Sequence, residues 1–443
     1  MEGSSVSAGS VKRRPALPPI GWRFCVFIFF LGDALLWADR SNFSVAAAAW
    51  ARDYHWSPST IGKMLSAFSL GYLIMQPIGG WLADRIGPRK TFSVSMAGWS
   101  FWVLMTPLAP TVLWLTALFR LLLGMSETPF IPGVVSAVAK AVPDDSSRGK
   151  YSVFVQAGSQ LGPALGVFFA GAVLTVTGTP AAIFIIFAGI GFLFAGLWWL
   201  FARNHADPAP TAEQVDTVSA RARAAEPVVP AIKLLTTKRL WPLYVGFFAL
   251  PYCQYIFLAW LPQYLSHYRH LSIAHASALS AVPFLVAFVV AILGGYLMDW
   301  FAAMGWRKGA FHRKFLIAAG ALMYVIGVLI AANTASTTTA VYMITLANAG
   351  LALYVYPFWT MVTDICPNQS GTLSGYMNFF GILGATISPY ASGVIAEMTG
   401  SFVAPLELAA AIMVIGATVA LLFLRVRPLS ELMPRTEARL AAT

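Results

Sequence analysis

Five ionisable residues cluster in the middle of two long apolar runs. The stretch LGDALLWADRSNFSVA (31–46) holds Asp33, Asp39 and Arg40, and FRLLLGMSETPFIPG (119–133) holds Arg120 and Glu127. A charge at the centre of a bilayer costs about 2.5–3.5 kcal/mol or more, so such residues are candidates for function. On a helix, Asp33, Trp37 and Arg40 fall at i, i+4 and i+7 and share a face. Asp39 points about 100° away from Arg40. Arg120 and Glu127 also share a face, about 10 Å apart along the axis, too far for a direct salt bridge. Gly124 leaves room between them. This spacing suits a cation that holds an anion beside a carboxyl that takes and releases a proton. It also suits structural ion pairs between the two helices, and a pair that exchanges partners would be both.

The chemistry of such a set is specific. Arginine stays charged and grips a carboxylate with two parallel hydrogen bonds. Burial raises the proton affinity of a carboxyl group, and a nearby arginine lowers it. An anion that draws the arginine away therefore favours protonation of the acid. That coupling is reciprocal by thermodynamic necessity.

These residues need helices in a membrane to hold them. Of 443 residues, 58% are hydrophobic and 11% charged, against about 25% charged in soluble domains. Twelve apolar segments are marked, at 21–50, 59–81, 91–108, 112–139, 151–176, 181–201, 240–266, 274–298, 314–333, 339–363, 372–397 and 405–425. Each is near the ~20 residues that span a bilayer as a helix, and their continuity is unlike the short alternating strands of a barrel. The expected fold is an all-α membrane protein of twelve transmembrane helices. Residues 1–20 and 426–443 would be cytoplasmic tails, 21–201 and 240–425 two six-helix bundles, and 202–239 a cytoplasmic linker. An even number of spans puts both termini on one side. Every Lys and Arg except Arg40, Arg52, Lys63, Arg120 and Arg269 falls on that side, which makes it the cytoplasm. The +11 charge is thus spent in short clusters at the membrane surface and implies no nucleic acid. The first apolar run is longer than a cleaved signal peptide allows. Cys25, Cys253 and Cys366 form no disulfide or metal spacing.

The halves repeat. At an offset of 222 residues Gly149, Gly162 and Gly171 meet Gly371, Gly384 and Gly393, the Thr-Gly pair 177–178 meets 399–400, and Gln156 meets Asn378. At 215, Gly80-Trp-Leu-Ala-Asp84 meets Gly295-Tyr-Leu-Met-Asp299. Such duplication implies two bundles that rock around a site near the midplane.

The stretch GWLADRIGPRK (80–90) resembles the loop between the second and third helices of the major facilitator superfamily. Gly80 permits close helix approach, Gly87 a tight turn, and Asp84 accepts hydrogen bonds from loop arginines or a helix end. The resemblance makes Gly80, Asp84, Arg85, Gly87 and Arg89 a conformational latch of the outward-facing state, with Asp299 in a weaker second copy.

A narrower resemblance rests on ADRSN in helix 1, Arg120-x6-Glu127 followed by Pro129 in helix 4, and FLAWLPQYL (257–265) in helix 7. Together they resemble the anion:cation symporters, which include hexonate and hexuronate symporters and vesicular glutamate and sialic acid carriers. The resemblance covers nearly all twelve helices. It implies that Arg40 and Arg120 engage a substrate carboxylate or partner the acids. It implies that Asp39 and Glu127 carry coupling protons and that Asn378 contacts substrate. Two positions depart from the pattern. Asp33 replaces a usually apolar residue, and it would pair with Arg40 or Lys63 or act as a further proton site. The helix 5 glutamine expected near substrate falls at Ser159, beside Gln160, which leaves that carry-over open; Gln156, the repeat partner of Asn378, is a separate candidate for substrate contact. Tyr72 and Tyr255 are the lining aromatics, offering an apolar face and one hydrogen-bonding group.

A rival reading comes from GSQLGPALG (158–166), whose glycine and proline spacing is associated with drug efflux antiporters. The same glycines also bend and pack a helix, and the helix 1 Asp-Arg pair favours an anion importer. A receptor would need a larger soluble segment than 202–239. No phosphate loop or nucleophile arrangement points to an enzyme. The expected protein is a proton-coupled symporter of a small organic anion, a sugar acid first, with aromatic and dicarboxylic acids open. It would use no cofactor besides the coupling proton and act as a monomer in a bacterial inner membrane.

Overall fold

The computed structural model describes residues 22–86, 88–131, 133–134, 154–201, 230–304, 311–366 and 369–427. Twelve long helices run through them: α1 (Trp22–Tyr54), α2 (Pro58–Ile86), α3 (Pro88–Met105), α4 (Leu113–Glu127), α5 (Gly158–Thr177), α6 (Pro180–Phe201), α7 (Trp241–Gln263), α8 (Ile273–Ala303), α9 (Phe311–Asn333), α10 (Thr337–Ile365), α11 (Ser370–Thr399) and α12 (Val403–Phe423). Eight of them, α5 to α12, lie in stretches both long and apolar enough to cross a membrane. Charged and polar residues dilute the hydropathy of α1 to α3, and α4 is 15 residues long as described. A single π turn, Tyr264–Tyr268, extends α7. Large apolar side chains such as Leu193, Leu200, Leu322, Ile415 and Leu422 are exposed on outer faces, as a surface turned to lipid requires.

Helix packing repeats the sequence duplication. In the first half α1 packs on α5, α2 on α4, and α3 on α4 and α6; in the second, α7 packs on α11, α8 on α10, and α9 on α10 and α12. The fold is therefore two six-helix bundles with the same internal arrangement. The repeated Thr-Gly pairs end α5 and α11, with Gly178 and Gly400 both in the left-handed region at φ 68° and 65°. That conformation suits glycine at a helix C-terminus.

The bundles meet through α2 with α11, α5 with α8, and α1 with α7. The α2–α11 contact is a backbone contact at the end opposite the termini. A Cβ at Gly62 would lie 2.6 Å from the Pro389 carbonyl oxygen, and one at Gly393 would collide with the Pro58 carbonyl. The Ser59 amide donates to Glu397 Oε2 at 2.9 Å, and the Tyr390 amide to Ser66 Oγ at 3.1 Å. On the second seam a Cβ at Gly171 would collide with Ser277. At the other end, Phe154, Gln156, Tyr296, Gly371 and Gly375 are exposed. Among the described residues, the halves are closed at one end and parted at the end of the termini.

The loop motif stands at the parted end. Gly80 and Asp84 lie in the last turns of α2 and Asp299 in the last turns of α8, but the surroundings of Gly80 and the side chains of Asp84 and Asp299 fall outside the described residues, as does Gly87. Arg85 is exposed. Arg89 donates to the Trp199 carbonyl at 2.7 Å and lies over its ring at 4.1 Å, which ties it to α6 of its own half.

Candidate functional site

Close packing of α2 on α4 builds the centre of the first bundle. A Cβ at Gly71 would strike the Leu121 carbonyl, and one at Gly124 the Phe68 carbonyl. Glycine at both places lets the two backbones touch, so Phe68 and Tyr72 reach the charged face of α4. Thr128 Oγ1 then donates to the Gly124 and Tyr72 carbonyls at 2.9 and 3.3 Å, just as Pro129 ends the regular helix. On the other side, the glycines of GSQLGPALG pack α5 on α1. A Cβ at Gly162 would strike the Ala34 carbonyl, and one at Gly166 Ser41 Oγ. The run thus has a packing role at α1, which weakens it as a sign of antiport.

Arg40 lies at the middle of this centre. Its Nε and Nη2 each reach Glu127 Oε2 at 2.8 Å, and its Nη1 donates to the Tyr255 hydroxyl at 3.2 Å. The guanidinium carbon stands 4.4 Å from the Trp37 ring centroid, 4.8 Å from Tyr72 and 5.2 Å from Phe68. Arg40 is 5% exposed and Glu127 0%. A buried ion pair survives the loss of water only with such geometry. Tyr255 is on α7, so the pair is bonded across the interface of the two bundles.

Arg120 differs. It is 2% exposed, yet among the described residues no carboxylate oxygen lies within 4.0 Å of it and its Nε has no hydrogen-bond partner. It is held by the Phe43 ring at 4.2 Å and the Phe68 ring at 5.1 Å. Phe68 therefore serves both arginines.

Asp39 is buried and accepts from Trp99 Nε1 at 3.0 Å and Asn42 Nδ2 at 3.2 Å, bonded to no arginine. Asp33 is buried with Oδ2 lacking a hydrogen-bond partner. The expected pairing of Asp33 with Arg40 or Lys63 is not formed. Arg40 is taken by Glu127, whose position places the carboxylate on the Arg40 side of α1, and Lys63 is exposed at the Pro58 end of α2. Glu127 Oε1 is a third orphaned atom in the same region.

The structure thus gathers Asp33, Asp39, Arg40, Tyr72, Arg120, Glu127 and Tyr255. It does not bring Gln156 or Asn378 into that group. Gln156 is exposed at the parted end, ahead of α5, and Asn378 is half-buried on α11. Sequence reasoning missed Trp99, Asn42, Phe43 and Phe68. A tryptophan in SMAGWSFW carries no spacing signal toward helix 1, although a buried indole N–H does need an acceptor. Asn42, three residues after Asp39, was within reach of a helical-spacing argument.

Two repeated bundles around a buried, incompletely paired charge centre define a membrane transporter. Residues 24–389 match the family description Major Facilitator Superfamily, and the chain belongs to that family. It is 28% identical to the hexuronate transporter of Bacillus subtilis over 402 residues, 90% of this chain and 94% of that one. It is 29% identical to the probable galactarate/D-glucarate transporter of Bacillus subtilis over 404 residues, 86% of each. Its fold matches a bacterial homologue of the human lysosomal transporter Spinster, crystallised inward-facing and occupied, with a TM-score of 0.73 at 19% identity, covering 90% of this chain and 96% of that one.

Proposed function

We propose that the protein is a proton-coupled symporter that takes up a small organic anion, a sugar acid, by alternating access. The single observation that carries this reading is the contrast between two buried arginines: Arg40 is paired with Glu127, and Arg120 makes no salt bridge among the described residues. An uncompensated buried cation is strongly unfavourable, so Arg120 is the docking point for a substrate carboxylate. The same anion, reaching Arg40 across the shared Phe68 ring, competes with Glu127. A released Glu127 is a buried carboxylate without a counter-ion, and it takes a proton. Substrate and proton thereby favour each other's binding.

Asp39, fixed by Trp99 and Asn42, is the second proton carrier. Tyr72 and Tyr255 orient Arg40, and Tyr255 links its occupancy to the second bundle. Gln156 and Asn378 would reach substrate only as the halves move. The relatives named for hexuronate and for galactarate and glucarate support a sugar acid. The distribution of Lys and Arg supports termini in the cytoplasm, and the bacterial relatives support an inner membrane. The parted end then faces the cytoplasm, and the loop motif would latch the opposite state. The test is uptake into proteoliposomes under an inward proton gradient, over sugar acids, aromatic acids and lipophilic cations. Accumulation of a sugar acid with proton entry supports the reading; cation expulsion without acid uptake overturns it.

A further inference from the structure

Asp33 has no part in the exchange just described, yet it occupies a buried position beside it. Its Oδ2 is buried and, among the described residues, without a hydrogen-bond partner. The start of α5 packs close on one side of it: a Cβ at Gly158 would stand 3.0 Å from Oδ2 and 2.8 Å from the Phe30 carbonyl oxygen. Asp33, Trp37 and Arg40 line one face of α1, so an acceptor, an aromatic plane and a cation follow one another over about 10 Å of helix. Trp37 is only half-buried, with Arg40 over its ring at 4.4 Å and Tyr255 edge-on at 6.4 Å.

Resting on the sugar-acid reading above, we infer that Asp33 is a specificity residue that selects polyhydroxylated monocarboxylates over dicarboxylates. A substrate whose carboxylate is held by the arginines would extend along this face toward the parted end. Its carbon chain passes the Trp37 ring. Its far hydroxyl donates to the orphaned Oδ2, satisfying an acceptor that the protein leaves empty. A hexuronate or hexonate has a hydroxyl at that end. An aldarate has a second carboxylate there. Facing Asp33, that carboxylate is either repelled or admitted only with a further proton. A site built to accept a hydroxyl hydrogen bond discriminates strongly against a group that cannot supply it. The charge count agrees. Three buried acids, Asp33, Asp39 and Glu127, stand against two buried arginines, so the site does not carry a cation for each end of a dianion.

The test compares glucuronate with galactarate in proteoliposomes, for the wild type, Asp33→Asn and Asp33→Leu, each checked for monodispersity in detergent. The wild type is expected to prefer glucuronate by about 10-fold or more in uptake efficiency. Asparagine keeps an acceptor, adds a donor and loses the charge. Asp33→Asn should therefore retain glucuronate uptake and narrow the preference at least several-fold through better galactarate uptake. Asp33→Leu should lose glucuronate affinity. An unchanged preference in Asp33→Asn overturns the inference, whether or not proton-driven accumulation is also lost, because a lost gradient response alone would make Asp33 a proton site. Wild-type uptake of neither acid overturns the sugar-acid reading and this inference together. Wild-type preference for galactarate overturns only this one.

Discussion

Arg40 on α1 and Glu127 on α4 share two contacts of 2.8 Å to one carboxylate oxygen, Oε2, while Oε1 of the same group is left without a partner. The pair is therefore engaged through half of its carboxylate. It can be opened without dismantling a bidentate clamp, and the free oxygen can hold a proton. Arg120, on the same helix as Glu127, stays buried and forms no salt bridge among the described residues. The two arginines should thus respond to mutation in opposite ways.

Replacing Arg120 by Gln removes a buried cation that makes no salt bridge among the described residues. Thermal stability in detergent should be unchanged or higher, while uptake is lost. Replacing Arg40 by Gln strands Glu127, and breaking a buried pair costs about 3–5 kcal/mol. Arg40→Gln should therefore lower the unfolding temperature, and a second change, Glu127→Gln, should restore most of it. Unfolding curves of the three variants check this. Equal destabilisation by both arginine changes would show that Arg120 has a partner.

Asp39 depends on the indole of Trp99. Trp99→Phe keeps the ring volume nearly intact and removes the donor at 3.0 Å. A buried acceptor left unsatisfied costs about 1–3 kcal/mol. Asp39→Asn should remove most of that penalty, so the double variant should be more stable than the sum of the singles predicts. A double-mutant cycle on thermal stability measures the coupling, and additivity would mean that the bond carries no energy.

The closed end rests on backbone contact between the bundles. Gly62→Val would place a Cβ 2.6 Å from the Pro389 carbonyl oxygen and 3.0 Å from the Tyr390 Cα, and neither atom belongs to a flexible side chain. The variant should hold this end apart. A cysteine at Ser59, whose amide meets Glu397 in the closed state, should label faster with an impermeant thiol reagent in the Gly62→Val background, and transport should fall. Unchanged labelling would mean that the seam has room to adapt.

Much of this was legible in the sequence because the governing constraints are local or periodic. Apolar length gave the helices to within a few residues at most ends. The 222-residue offset anticipated the paired left-handed caps at Gly178 and Gly400 and the matched packing of α1 on α5 and α7 on α11. Helical spacing correctly kept Arg120 and Glu127 from bonding directly. Partner choice between helices was not legible. Whether Arg40 would meet Asp33, Asp39 or Glu127 depends on the α1–α4 approach, which Gly71 and Gly124 set through α2. Phe68 and Trp99 enter the site through the same packing, and no one-dimensional spacing encodes it.

The central claim is that substrate and proton compete through the Arg40–Glu127 pair, and Glu127→Gln tests it most directly. The amide still accepts a hydrogen bond from Arg40 but takes no proton. Counterflow exchange of labelled sugar acid across proteoliposomes without a proton gradient should persist, and gradient-driven accumulation should be lost. Accumulation that survives in Glu127→Gln at the wild-type level would contradict the account.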